Sequence, residues 1–236
     1  MRAIVMSMIA AGALMALAPS IHAKAPDPAH AAAATEGFLK YHPDLRWRKA
    51  GLESYEEGRL TEAFNHFKRS ARYADKGAQA MVAEMLWKGE GVAADRATAY
   101  AWMDLAAERN YKDFAKLREY YWSQLDAADR ESALDMGAQV YAEFGDEVAK
   151  PRLAQKLDEG RRQITGSRTG FKGGLTVMIP TNGRWVTLDA EQYYKDQFWH
   201  PEQYFEWQDQ VWKDPYRGTV EVGEIQLTQA DKDDQK

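Results

Sequence analysis

Residues 87–110, WKGEGVAADRATAYAWMDLAAERN, constrain this chain more than any other stretch. Gly89 and Gly91 follow an apolar helical run, and only glycine takes a positive φ without strain. They therefore end a helix that begins near Ala78. Val92 is apolar within the turn and suits the space between two helices. Asp95 stands where a side-chain oxygen caps the free amides of a following helix. Ala99, Trp102 and Ala106 then fall at i, i+3 and i+7 on one face. Ala106 and Ala107 are small where a next unit must stack. The spacing specifies a helix, a tight turn and a second helix folded back on the first.

An earlier stretch carries the same plan. Gly51 and Ala63 permit close approach of two helices, Tyr55 and Phe67 fill the gap, and Gly58 supplies the left-handed turn residue. This spacing resembles the tetratricopeptide pattern, with Ser54 and Ser70 where larger and smaller residues are usual. In the later stretch, Ala78, Gly89, Gly91, Val92, Asp95, Ala99, Trp102, Ala106 and Ala107 together resemble a Sel-one-like repeat, a relative of the tetratricopeptide repeat. Ala83, Leu86 and Asn110 depart from that pattern at places usually held by Gly, Tyr and Gly. Asn tolerates the left-handed conformation, so the last change is mild. The resemblance covers residues 45–110 well and 111–145 loosely. It implies a mainly α fold, a short α–α helical-repeat solenoid, and a surface used to bind other proteins.

In the loose segment, Leu117, Tyr120, Tyr121 and Leu125 form one stripe, and Asp126 caps a second helix carrying Ala133, Leu134, Ala138 and Tyr141. A diverged final unit is what a solenoid needs in order to present a polar end to water.

The chain's start concerns export. Residues 1–23 hold one charge, Arg2, then an apolar run from Ala3 to Ala18 and a break at Pro19-Ser20, which reads as a signal peptide cut after Ala23. The run is shorter than the ~20 residues that span a bilayer, and no basic cluster follows it. No stable membrane insertion is expected after cleavage. The sequence contains no Cys, so no lipid can be attached through an N-terminal cysteine, and disulfides and thiolate metal sites are excluded. A soluble periplasmic or secreted protein is the expectation. Losing residues 1–23 removes only Arg2, taking the formal charge from −5 to −6. That acidity argues against nucleic acid or anionic membrane as a partner.

Further boundaries follow from composition: a Pro/Ala-rich tether over 24–43, the helical repeat domain over 44–150, a small α+β cap over 151–227 and a polar tail over 228–236. Alternation on both sides of Pro180-Thr181-Asn182-Gly183 predicts a β-hairpin. Asp189 and Gln192 open a short helix through Trp199, and Pro201 opens another to about Lys213. On that second helix Tyr204, Phe205, Trp207, Val211 and Trp212 share one side, opposite Glu202, Gln203, Glu206, Asp209, Gln210 and Lys213. Residues 218–227 alternate as a strand, with a bulge at Gly223.

Two features in the C-terminal region bear on binding. Nine aromatics crowd residues 193–216 and are best explained as the core of the cap. Trp185 and Trp199, next to turn residues, are the rings expected to be exposed if any stack on a sugar. Arg161, Arg162, Arg168 and Lys172 lie among turn glycines, either as an anion-binding loop or as solvated charges near a helix end. No catalytic set assembles. The Ser in GSRTG directly follows its Gly and makes no nucleophile elbow, and His30, His42, His66 and His200 lack metal-ligand spacing. Gly89-x-Gly91 is no phosphate loop, and Glu202 with Glu206 lies on a solvated helix face. No cofactor or metal is implied, and no enzyme is expected. An adaptor for another exported or envelope protein is the leading function, with a peptidoglycan- or other glycan-binding module as the alternative and a hydrolase third.

Overall fold

The computed structural model describes residues 35–163, 176–181 and 184–213. The signal peptide, most of the tether, Arg168, Lys172, the strand expected over 218–227 and the tail lie outside the described residues. The described chain is mainly helical. It runs α1 (Glu36–Leu39), α2 (Pro43–Glu56), α3 (Leu60–Ala71), α4 (Lys76–Lys88), α5 (Arg96–Ala106), a 3₁₀ turn (Ala107–Arg109), α6 (Lys112–Gln124), α7 (Ala127–Phe144) and α8 (Asp146–Arg162). It continues with β1 (Thr176–Thr181), β2 (Arg184–Asp189), α9 (Ala190–Tyr193), α10 (Asp196–Trp199) and α11 (Pro201–Lys213).

Helices α2 and α3 pack as one hairpin, α4 and α5 as another, and α3 stacks on α4. The turn between α4 and α5 forms as its residues require. Gly89 ends α4 in the left-handed conformation, and Asp95 accepts the Thr98 amide at 2.9 Å to start α5. Gly91 is left-handed too (φ +71°), and a side chain there would overlap the Leu60 carbonyl at the start of α3. Across that contact the Thr61 hydroxyl donates to the Gly91 carbonyl at 3.1 Å. Gly58 and Asn110 adopt positive φ as expected. Gly51 differs in detail: the space left by its missing side chain is taken by the Phe67 ring, 2.6 Å from where a Cβ would stand, rather than by backbone. Ala63, Phe67, Ala78, Ala99, Trp102, Ala106 and Ala107 are all buried, and Val92 packs at the edge of the same core.

The third helix pair departs from a regular hairpin. Helix α7 lies along α5, and α6 packs against α5 as well. Asp126 caps α7 through the Asp129 amide at 2.8 Å. Tyr121, Leu125 and Ala133 are buried, whereas Leu117, Tyr120 and Leu134 are exposed, so the stripes read from the sequence are only half covered.

Three boundaries move. Phe38 is fully buried and Thr35 caps α1, so the folded body begins inside the segment assigned to the tether. Helix α8 continues through Pro151 to Arg162, across the change in composition placed at 150. Proline costs a helix one hydrogen bond, and the burial of Ala149, Leu153 and Leu157 on one face outweighs it. The expected helix through Trp199 is two short helices, because the chain turns at Tyr194-Lys195 and the Trp199 indole N–H donates back to the Tyr193 carbonyl at 2.7 Å.

The described part of the C-terminal region packs on the helical body. β1 and β2 pair antiparallel with Thr181 opposite Arg184. Beyond them, α10 and α11 pack on α8, where Tyr204, Leu153 and Leu157 share one cluster. Trp199 and Phe198 join Phe38 and Tyr193 in a second cluster at the start of the chain. Val211, expected on the apolar side of α11, is exposed, and Gln208 from between the two faces is buried.

Candidate interaction face

Helix α11 lies against the first turns of α2, α4 and α6, and a polar network holds it there. The Tyr204 hydroxyl donates to Asp44 Oδ2 at 2.5 Å and accepts from Gln208 Nε2 at 2.9 Å. Burial pushes the Asp44 carboxyl up to about 7, reinforced by the nearby Asp75 carboxylate. Its Oδ1 has no hydrogen-bond partner among the described residues. Arg48 donates to Asp75 Oδ2 at 2.8 Å, while Asp75 Oδ1 caps α4 through the Ala78 amide. Next to them, His42 is buried and lowered to about 4, chiefly by burial, with Nδ1 2.8 Å from the Phe38 carbonyl and Nε2 2.7 Å from the Phe198 carbonyl.

A second group sits around the start of α4 and the 3₁₀ turn. The fully buried Lys76 ammonium donates to Gln79 Oε1 (3.0 Å), the Leu105 carbonyl (3.1 Å) and Glu108 Oε2 (2.6 Å), with Asp146 Oδ1 at 3.1 Å. Burial draws its pKa downward, and the two carboxylates oppose that. Arg109 forks onto both Asp146 oxygens at 2.7 and 2.9 Å and also reaches the Ala74 carbonyl, Tyr111 and Asp209. Burial raises the Asp146 carboxyl, but Arg109 and Lys76 outweigh it and hold the group well below the usual carboxylate range. Every donor of Lys76 is used, and so is every nitrogen of Arg109. A lysine with all its protons committed cannot act as a free base or nucleophile. Chemically this network is a lock between α4, the 3₁₀ turn, α8 and α11.

Trp212 completes the docking. Its ring lies 2.5 Å from where a Cβ on Gly77 would stand, 5.2 Å from the Phe114 ring and 5.8 Å from the Arg48 guanidinium. These three residues begin the facing turns of α4, α6 and α2. One helical turn further along come Leu52, Met81 and Leu117, then Tyr120. Leu52 is 44%, Leu117 40% and Tyr120 54% exposed, and Met81 is half-buried. Trp87 supports this end, stacked on Tyr121 at 4.1 Å and tilted against Tyr120 at 6.4 Å. Helical spacing thus sets these apolar residues one or two turns beyond the Trp212 notch on α2, α4 and α6, and Leu52, Leu117 and Tyr120 are exposed among the described residues.

The binding residues proposed from the sequence are not gathered here. Arg161 and Arg162 sit exposed in the last turn of α8, and Arg161 pairs with Asp158 at 3.2 Å. Trp199, one of the two rings expected to be exposed if any stack on a sugar, is 3% exposed and is core; its indole N–H bonds back across the α9–α10 turn. Trp185 stands in β2 opposite Pro180. Sequence reasoning missed Asp44, Lys76, Arg109 and Asp146 altogether. The only local signal was the cap Asp75 preceding Lys76-Gly77; deciding partners such as Glu108 for Lys76 and Tyr204 for Asp44 stand 32 and 160 residues away.

Compared with protein-family models, with curated proteins and with solved structures, the chain finds no match. Among the described residues no three His, Cys, Asp or Glu side chains converge as a metal site, and no helix is long and apolar enough to cross a membrane.

Proposed function

We propose that this protein is an exported adaptor, a short Sel-one-like solenoid whose α2–α4–α6 face binds an apolar helix or peptide of another envelope protein, without catalysis. One observation carries the reading. The chain's own Trp212 already occupies one end of that face, and one or two turns beyond it Leu52, Leu117 and Tyr120, beside the half-buried Met81, stand exposed among the described residues. Helix-in-groove recognition uses such rows, with anchors spaced by helical turns on the partner. Saturation of the Lys76 and Arg109 donors supports a structural rather than catalytic role for the buried charges.

The test is site-specific photo-cross-linking in cells, with the reactive residue at position 117 or 120 and, as a control, at the exposed position 134. One dominant protein adduct from 117 and 120, lost on Leu52→Asp while the fold is retained, is the expected result. Equal labelling from position 134, or no adduct from 117 and 120, refutes the reading. Export is checked separately: the mature protein belongs in the soluble envelope fraction after a high-salt wash, and its retention in membranes overturns that part.

A further inference from the structure

We propose a second, independent site on the outer side of α11: a cleft that binds a neutral saccharide on the indole face of Trp207. The cleft has a volume of about 510 Å³ and is lined by Gln197 from α10 and by Glu202, Gln203, Glu206, Trp207 and Gln210 from α11. That size lies within the ~300–1,000 Å³ of small-ligand sites. Trp207 is half-buried. Its ring stands perpendicular to Phe198 (5.3 Å, 87°) and tilted against Tyr204 (5.6 Å), which fixes the indole plane while part of the side chain stays open.

The polar lining decides the ligand class. None of the three amides or two carboxylates has a hydrogen-bond or ion-pair partner among the described residues. Elsewhere in the molecule some exposed carboxylates, such as Glu53, Glu84 and Asp158, pair with a nearby cation, while others, such as Glu56, Glu131 and Glu147, have no partner among the described residues either, so it is the mixture of amides and carboxylates beside a ring that marks the cleft. Each free amide brings two N–H donors and a carbonyl acceptor, whereas carboxylates only accept. An ammonium ligand donates only and leaves the amide N–H groups unmet. An anionic ligand accepts only and meets two uncompensated carboxylates. A sugar hydroxyl both donates and accepts, so a row of hydroxyls matches this mixed inventory, and the apolar C–H face of a pyranose suits an indole. Helical spacing sets the arrangement: Gln203, Trp207 and Gln210 at i, i+4 and i+7 flank the ring along one stripe, and Glu202 and Glu206 form a parallel stripe one turn apart.

The experiment uses the full mature chain labelled with 5-fluorotryptophan. The Trp207 ¹⁹F signal is assigned with Trp207→Phe, which keeps an aromatic ring in the packing. Four tetrasaccharides are titrated: cellotetraose and the N-acetylglucosamine tetramer (neutral), the glucosamine tetramer (cationic) and the galacturonic acid tetramer (anionic). A saturable shift of the Trp207 signal by a neutral tetramer, weakened about fivefold or more by Gln203→Ala and by Glu206→Ala, is the expected result, one lost hydrogen bond each. Both side chains are exposed and have no partner among the described residues, so these variants keep the fold. No saturation by ~10 mM of either neutral tetramer, ten times a millimolar Kd, overturns the proposal. A Trp207 shift produced only by the cationic or only by the anionic tetramer also overturns it, as does binding unaffected by both alanine variants.

Discussion

The two buried groups that anchor α11, His42 and Asp44, titrate in the same pH range with opposite effects on stability, and removing either one exposes the other. Asp44 rises from an ordinary 3.8 to about 7 in the folded state. A raised acid pKa means that the native protein holds the proton more tightly than the unfolded chain. Its contribution is therefore complete below about pH 4 and is lost as pH rises through 7. At ~1.4 kcal/mol per pH unit the gap is worth about 4 kcal/mol. His42 falls from 6.5 to about 4. Its contribution is present above pH 6.5, is lost as pH falls through 4, and amounts to about 3 kcal/mol. Between pH 4 and 7 the two slopes nearly cancel. Asp44→Asn keeps the Tyr204 contact and leaves the His42 slope, so that variant gains stability as pH rises from 4 to 6.5. His42→Gln leaves the Asp44 slope, and that variant loses stability as pH rises from 4 to 7. Asp146, whose carboxyl is held low by Arg109 and Lys76, contributes stability that disappears only on strong acidification and is common to all three proteins. Urea unfolding followed by circular dichroism at half-unit steps from pH 4.5 to 7.5 measures the slopes, given two-state transitions. Slopes of the same sign in both variants refute the reasoning. They do so most directly if the two carbonyls at the His42 nitrogens keep the imidazole protonated in the fold, because a neutral ring donates through only one nitrogen.

Other outcomes follow from single contacts. Gly91→Ala loses more than the ~1 kcal/mol of an ordinary left-handed glycine, because its Cβ meets the Leu60 carbonyl; thermal melting checks this, and a neutral effect refutes the turn geometry. Trp102→Ala removes a buried ring packed 4.5 Å from Phe144 and costs ~3–5 kcal/mol in the same assay. Asp146→Asn strips Lys76 and Arg109 of their shared carboxylate and destabilises by ~3–5 kcal/mol, read by chemical denaturation. Gly77→Ala pushes the Trp212 ring out of its notch, so protease digestion releases α11 while the α2–α5 core stays intact; unchanged protection of α11 contradicts the docking described above.

Elements governed by neighbours in sequence were readable from the sequence. The Gly89–Gly91 turn, the Asp95, Asp126 and Asp189 caps, the hairpin before Arg184 and the start of α11 at Pro201 depend on φ and on amides within three residues. Those preferences act before any tertiary contact forms. Apolar periodicity identified α5 and α11, yet it did not say which part of a stripe meets another helix. Leu117, Tyr120 and Val211 match the pattern of buried residues and stand exposed, because burial depends on whether another helix packs over the stripe, and among the described residues none covers these positions. Pro151 marks a change in composition but not a helix end, since the burial of Leu153 and Leu157 against Tyr204 carries the helix past it. The candidate face and the lock beneath it were hidden for the same reason. Asp44 becomes a buried acid only where Tyr204, 160 residues later, arrives on α11, and Gly77 acquires its purpose only when Trp212 fills the space above it. Local backbone chemistry is written in adjacent residues, while the pairing of charges and the filling of grooves depend on which distant helices share a surface, and that was decided by the packing of the whole chain.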